Sequence, residues 1–267
     1  MANGVDFTDK TLTGKELKAA GKAFACRYLP YPGGAWKALS LAEAKEKSAH
    51  GIRIVSNWET NGKPANTFAT GQSHARQAEA AHRSCGGPAT APIYFSIDSD
   101  VPVDSKDAYA SGLKSVLGAD RVGVYGSSGL VRHWLSKGYA KFGWRSMSTG
   151  WRGGSSTAGC SLKQTGGGHV AGTSVDFDTS LVSNYGGWLI GQPTPTPIPT
   201  PLPEDEVTKE DIAAIAEAVV AQKLGRSGPT VGVALQTQIA KDATAQVLQS
   251  PQFKQLLADV AAIKAKP

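Results

Sequence analysis

"PIYFSIDSD", residues 92–100, is the stretch on which the reading of this chain turns. Pro92 opens it, Ile93, Tyr94, Phe95 and Ile97 give it the character of a buried strand, and Asp98-Ser99-Asp100 closes it with two acids. A buried carboxylate is costly unless it is paired, hydrogen-bonded or protonated. The stretch is therefore a strand that ends in solvent, or one that delivers acid to an active site.

Similar runs stand on both sides of it. "GVDF" (4–7), "AFACRYL" (23–29) and "IRIVSNWE" (52–59) come before; "RVGVYGS" (121–127), "KFGWRSM" (141–147), "SLKQT" (161–165) and "SVDFDTS" (174–180) come after. Stretches of helical composition at 39–49, 71–84 and 105–117 lie between them. Strands alternating with helices predict a parallel sheet with crossover connections. Eight strands within residues 1–190 fit an α/β fold of the (β/α)₈ TIM-barrel type. Short or poorly formed helices at the sixth and seventh units make that barrel irregular. A doubly wound open sheet is the other α/β solution, but no Gly-rich phosphate loop opens a helix where it is needed.

Side chains alternate across a strand, so one parity faces the helices and the other the barrel axis. Assigning the apolar parity to the helices sends Val5, Phe7, Phe24, Cys26, Tyr28, Ile54, Trp58, Phe95 and Ile97 outward. The same rule turns Asp6, Arg27, Asn57, Glu59, Ser96, Asp98 and Asp100 inward, with Tyr125, Gln164, Asp176 and Asp178. Barrel enzymes keep their active sites at the C-terminal rim, where many of these residues fall. A lone strand-end Asp ordinarily caps or pairs, here with Arg27, and Glu59 alone reads equally as a solvated loop acid. Asp6, Asp98 and Asp176 from three strands are harder to explain one by one. Asp9, Asp104 and Asp178 read as caps or surface charges. The five histidines show no metal-ligand spacing, and "YGSSG" (125–129) lacks the G-x-S-x-G elbow of serine hydrolases.

Inward carboxylates with aromatic side chains around them suit glycoside hydrolysis, in which one carboxylic acid protonates the leaving oxygen and another group stabilises the cationic centre or activates water. Tyr125, Trp151 and Tyr28 offer faces for sugar rings, and Arg27 and Gln164 are polar substrate contacts. Asp6, Glu59, Asp98, Asp100 and Asp176 are the catalytic candidates. Oxygen ligands of this kind also serve metal-dependent phosphodiesterases, but apart from Arg27 the basic phosphate contacts are missing.

The rest of the chain differs in kind. "GQPTPTPIPTPLPEDE", residues 191–206, alternates Pro and Thr in the manner of an extended spacer. Residues 207–267 read as a module of three Ala-rich helices with Ile, Val and Leu stripes, too small to bury much surface alone and suited to self-association or a partner. Of the net charge of +6, residues 1–192 carry +7 (21 Lys and Arg against 14 Asp and Glu) and the remainder −1 (7 against 8). A basic first domain suits an anionic polymer: cell-wall glycan, nucleic acid or acidic polysaccharide. Cys26, Cys85 and Cys160 are an odd set without metal spacing, which points to folding in a reducing compartment. "MANGVDFTDK" has no apolar signal region and no stretch reaches membrane-spanning length. The expectation is synthesis in the cytoplasm without a signal peptide, no membrane insertion, and release by other means.

Taken in order, "GVDF", "CRYL", "YFSIDSD", "VGVYGS" and "VDFD" resemble the glycoside-hydrolase-like domain of unknown function found in actinobacterial proteins and phage lysins. That group is similar to the family 25 lysozymes, which cleave peptidoglycan with a (β/α)₈ barrel. The resemblance spans nearly all of residues 1–190 and implies that Asp6 and Asp176 match the first- and eighth-strand acids. It matches Asp98-Ser99-Asp100 to the Asp-x-Glu of the fourth strand, and Tyr125 to the aromatic position of the fifth. Where that family carries its acid, Glu, this chain has Asp100, one methylene shorter. Proton transfer needs heavy atoms within about 2.6–3.2 Å, so Glu59 competes with Asp100 for the acid role, leaving Asp98 ionised beside Arg27. The resemblance implies a peptidoglycan-directed, endolysin-type glycosidase of bacteriophage kind, acting on cell-wall glycan with no cofactor, no metal and no nucleic acid. Its alternative is a glycan-binding or virion-associated barrel without activity.

Overall fold

The structure is a computed structural model, and it describes residues 1–192. The expected spacer (191–206), beyond its first two residues, and the expected helical module (207–267) lie outside the described residues. Eight strands form the barrel: β1 (Asn3–Asp6), β2 (Phe24–Tyr28), β3 (Arg53–Trp58), β4 (Ile93–Ser96), β5 (Val122–Gly126), β6 (Phe142–Arg145), β7 (Leu162–Val170) and β8 (Thr173–Ser180). The helices are α1 (Gly14–Ala19), α2 (Leu41–Ala49), α3 (Phe68–Ser84), α4 (Asp107–Leu117) and α5 (Ser128–Ser136). The strands pair in chain order and β8 closes on β1. Side chains start most of these helices: Ser40, Thr67 and Ser127 each accept the N–H three residues on, and Thr13 makes a reciprocal box with Glu16.

The barrel departs from an all-parallel one at its end. β1 to β7 are mutually parallel, but β8 runs antiparallel to both β7 and β1. Only Ala171 and Gly172 join β7 to β8, at φ +48° and +82°, which is a hairpin turn with no room for a crossover helix. Among the described residues no helix separates β6 from β7 either, so the irregularity falls where the sequence placed it.

The inner and outer faces are both apolar. Phe95, Ile97, Trp58 and Val124 pack outward on α3, α4 and α5, while Phe24, Cys26, Val55, Tyr94, Tyr125, Phe142, Trp144 and Leu162 fill the interior. β2 therefore has the opposite parity from the expected one. Phe24 and Cys26 point to the axis and Arg27 points out. Two local causes set this. Gly4 leaves room for the Phe24 ring, since a Cβ there would sit 2.3 Å from it. Arg27, fully buried, finds Glu43 of α2 at 2.7 Å. Its guanidinium also donates to the Phe7 and Lys37 carbonyls.

Candidate active site

At the C-terminal mouth a cavity of about 110 Å³ opens among Asp6, Tyr28, Asn57, Glu59, Ser96, Asp98, Tyr125, Trp144, Gln164 and Asp176. Strand register assembles it. Asp6 pairs with Asp176 across β1 and β8, and Asn57, Ser96 and Tyr125 stand at or one residue before the ends of neighbouring parallel strands. β8 contributes acid at the mouth because reversing its direction leaves its alternation intact.

Gln164 organises the floor. Its Oε1 accepts from Tyr125 Oη at 3.1 Å and from the Met147 N–H at 3.2 Å. Two donors on that oxygen fix the amide, so Nε2 donates to Asp6 Oδ2 at 2.8 Å and to Asp176 Oδ2 at 3.2 Å. Tyr28 Oη reaches Asp6 Oδ1 at 3.4 Å. Beneath them Asp178 is buried, accepting from Trp144 Nε1 at 2.9 Å. Among the described residues its other oxygen has no hydrogen-bond donor, and Asp6 is the carboxyl that lies next to it. Burial raises both groups, Asp6 to about 7; the charge of Asp176 adds to the rise at Asp6, and that of Asp6 to the rise at Asp178. The pair retains a proton well above the ordinary carboxylate range.

The upper wall is more open. Asp98 is solvent-accessible at the rim, and its carboxyl is raised by partial burial and then by the charge of Glu59. Glu59 Oε1 is paired with Lys37 Nζ at 2.9 Å. That ammonium is itself buried and lies 4.1 Å from the centroid of the Tyr28 ring. Asp176 is half-buried and raised by desolvation. Two carboxylates thus face one cavity in different settings, one balanced by a cation and one pushed toward its protonated form.

Several sequence-predicted residues lie elsewhere. Arg27 is not beside Asp98; it serves α2, as the β2 parity requires. Asp100 is exposed and absent from the cavity wall, since Arg152 holds it through its backbone N–H at 3.0 Å and its guanidinium at 2.9 Å. Trp151 stands in the connection from β6 to β7, outside the cavity lining. Asp178 is a buried partner of Asp6 rather than a cap or surface charge. Trp144 and Lys37 were not singled out from sequence. The inward parity of β6 marks Trp144; nothing local marks Lys37, which comes from the β2–α2 connection. Among the described residues no group of three or more His, Cys, Asp or Glu is arranged to hold a metal ion.

Residues 15–180 match the family described as "Rv2525c-like, glycoside hydrolase-like domain". The chain is 32% identical over 154 residues to the Mycobacterium tuberculosis protein named "Putative peptidoglycan hydrolase Rv2525c", a match covering 53% of this chain and 64% of that protein. The chain thus spans less than two thirds of that relative's length. The crystal structure of the Tat-secreted M. tuberculosis protein Rv2525c with L-tartrate superposes at a TM-score of 0.64 and 28% identity, over 70% of this chain and 98% of that one. An uncharacterized B. stearothermophilus protein shares the fold at a TM-score of 0.52 and 15% identity, over 67% and 96% of the two chains. With the family matched along most of the barrel, the chain belongs to the Rv2525c-like glycoside hydrolase-like domain family.

Proposed function

We propose that the barrel hydrolyses a glycosidic bond of bacterial cell-wall glycan, peptidoglycan, at its C-terminal mouth. The observation that carries this is the contrast between Asp98 and Glu59 in one cavity. Asp98, raised by burial and by its acidic neighbour, is the proton donor to the leaving oxygen. Glu59, balanced by Lys37, is the carboxylate that supports the cationic sugar centre or activates water. This reverses the expected division, because the Arg27 that was to keep Asp98 ionised is engaged by Glu43. Tyr28 and Tyr125 flank the sugar, and Gln164 holds Asp6 and Asp176 in place. A relative named as a peptidoglycan hydrolase and described as Tat-secreted supports a wall substrate reached outside the cytoplasm. No helix of the described residues is long and apolar enough to cross a membrane. The test is mass spectrometry of purified actinobacterial walls incubated with the full chain. New reducing ends support the hydrolase; unchanged glycan overturns it.

A second reading, a barrel that binds wall glycan without cleaving it, draws on one observation. The position that resembles the lysozyme acid, Asp100, is held by Arg152 outside the cavity. In that case the protein co-sediments with walls and releases no reducing ends.

A further inference from the structure

The excess positive charge of the first domain has a single origin. Residues 121–175 contain seven Lys and Arg and no Asp or Glu, while the rest of residues 1–192 holds 14 of each (21 − 7 cations against 14 acids). This segment builds β5, α5, β6 and β7, one continuous sector of the barrel wall. Three of its cations are paired with acids from elsewhere: Arg121 with Glu79, Lys141 with Asp120, and Arg152 with Asp100. Arg132, Lys137, Arg145 and Lys163 have no ion pair among the described residues.

Arg145 is the anomalous one. It ends β6 and is only 7% exposed, yet its Nε and Nη1 are buried without a hydrogen-bond partner among the described residues. A buried charge with neither counter-ion nor acceptor is strongly disfavoured. Its side chain leaves the barrel on the outer face, because Trp144 before it points to the axis and Gly143 shares its parity against Val131 and Leu135 of α5. Lys163 lies directly across from it in the β6–β7 register, and like charges in that position repel. Arg132 of α5 is exposed on the same side, and the Cys160 thiol feels both arginines. Arg145 and Lys163 thus stand side by side, Arg132 acts on the same thiol as Arg145, and among the described residues no acid pairs with any of the three.

We infer that Arg145, Lys163 and Arg132 form an oxyanion-binding site on the outer wall, separate from the carboxylate cavity, that seats a phosphate or carboxylate group of the wall polymer. Arginine is suited to both groups through paired N–H donors, and the neighbouring cations supply the field. The site is independent of whether the cavity cleaves glycan.

The probe is inorganic phosphate, read as the melting temperature of the full chain in sodium phosphate against sodium chloride of equal ionic strength. A ligand that binds only the folded state stabilises it in proportion to the logarithm of its concentration over Kd. Wild type and Asp98→Asn are expected to gain the same phosphate-dependent shift. Arg145→Gln and Lys163→Gln are expected to lose most of it. Lys163 is half-buried and pairs with no acid among the described residues, so its variant keeps the test decisive if Arg145→Gln does not fold. No shift in wild type, or an equal shift in the variants, overturns the site. Co-sedimentation of the same proteins with walls then separates the sources. Binding that is lost when cold hydrofluoric acid strips phosphodiesters identifies phosphate, and binding that survives stripping but not Lys163→Gln identifies carboxylate. Wall binding equal in wild type and Lys163→Gln counts against the proposal.

Discussion

Asp6 and Asp178 set the pH response of the fold. Both carboxyls are raised, Asp6 to about 7, whereas an unfolded Asp titrates near about 3.9. The folded state therefore holds more protons than the unfolded state between these values, and stability falls as pH rises through that window. Asp178→Asn keeps an oxygen for Trp144 Nε1 and offers an N–H to Asp6, which removes the need for a shared proton. Thermal melts from pH 4 to 7 should show wild type losing stability toward pH 7 and Asp178→Asn holding it. At pH 7 the variant should melt higher by several degrees, since 1 kcal/mol moves Tm by roughly 2–4 °C in a domain of this size. A steeper loss in the variant would contradict the shared proton. Asp100 carries the opposite expectation from the one its sequence position suggests. Tied to Arg152 outside the cavity, it can be changed to Asn with wall hydrolysis reduced less than about threefold, whereas Glu59→Gln should cost on the order of 10²-fold or more. The ranking of rates on purified walls decides between them.

At the scale of elements, α3 and α4 meet through glycine. A Cβ on Gly71 would stand 2.1 Å from the Tyr109 carbonyl oxygen, and one on Gly112 would stand 2.2 Å from that of Phe68. Backbone lies on both sides, so neither helix can yield by turning a side chain. Gly112→Ala should destabilise the barrel by about 1–3 kcal/mol through overpacking, against a small gain if helix propensity alone mattered. Denaturant melts distinguish the signs. Element-level pattern was also where sequence reading worked and where it stopped. Strands β1, β3 and β4 carry their acids inward because their alternate residues are plainly apolar. β2 misled, because barrel interiors are themselves filled by side chains. Phe24 and Cys26 are as much at home inside as against helices, and the Glu43 that draws Arg27 outward lies 16 residues away. The β7–β8 hairpin was missed because its Ala-Gly turn lacks the Asn-Gly or Asp-Gly signature.

The barrel as a whole separates two kinds of surface. Carboxylates from β1, β3, β4 and β8 gather at the mouth, while the cationic excess is confined to the sector from β5 to β7. The closed barrel makes this possible, because its mouth collects side chains from strands distant in sequence. Convergence of Asp6, Asp98 and Asp176 was legible from strand order and parity. The burial of Asp178 and the pairing of Lys37 with Glu59 were not, since both depend on three-dimensional packing between distant segments. The measurement that bears most directly on the proposed chemistry compares wild type with Asp98→Asn on purified cell walls, reading new reducing ends released per unit time, after matched melting curves establish that both are folded. With Asp98 as proton donor, release should fall by about 10²- to 10⁴-fold while co-sedimentation with the walls is kept. Equal release by the two proteins would contradict the account.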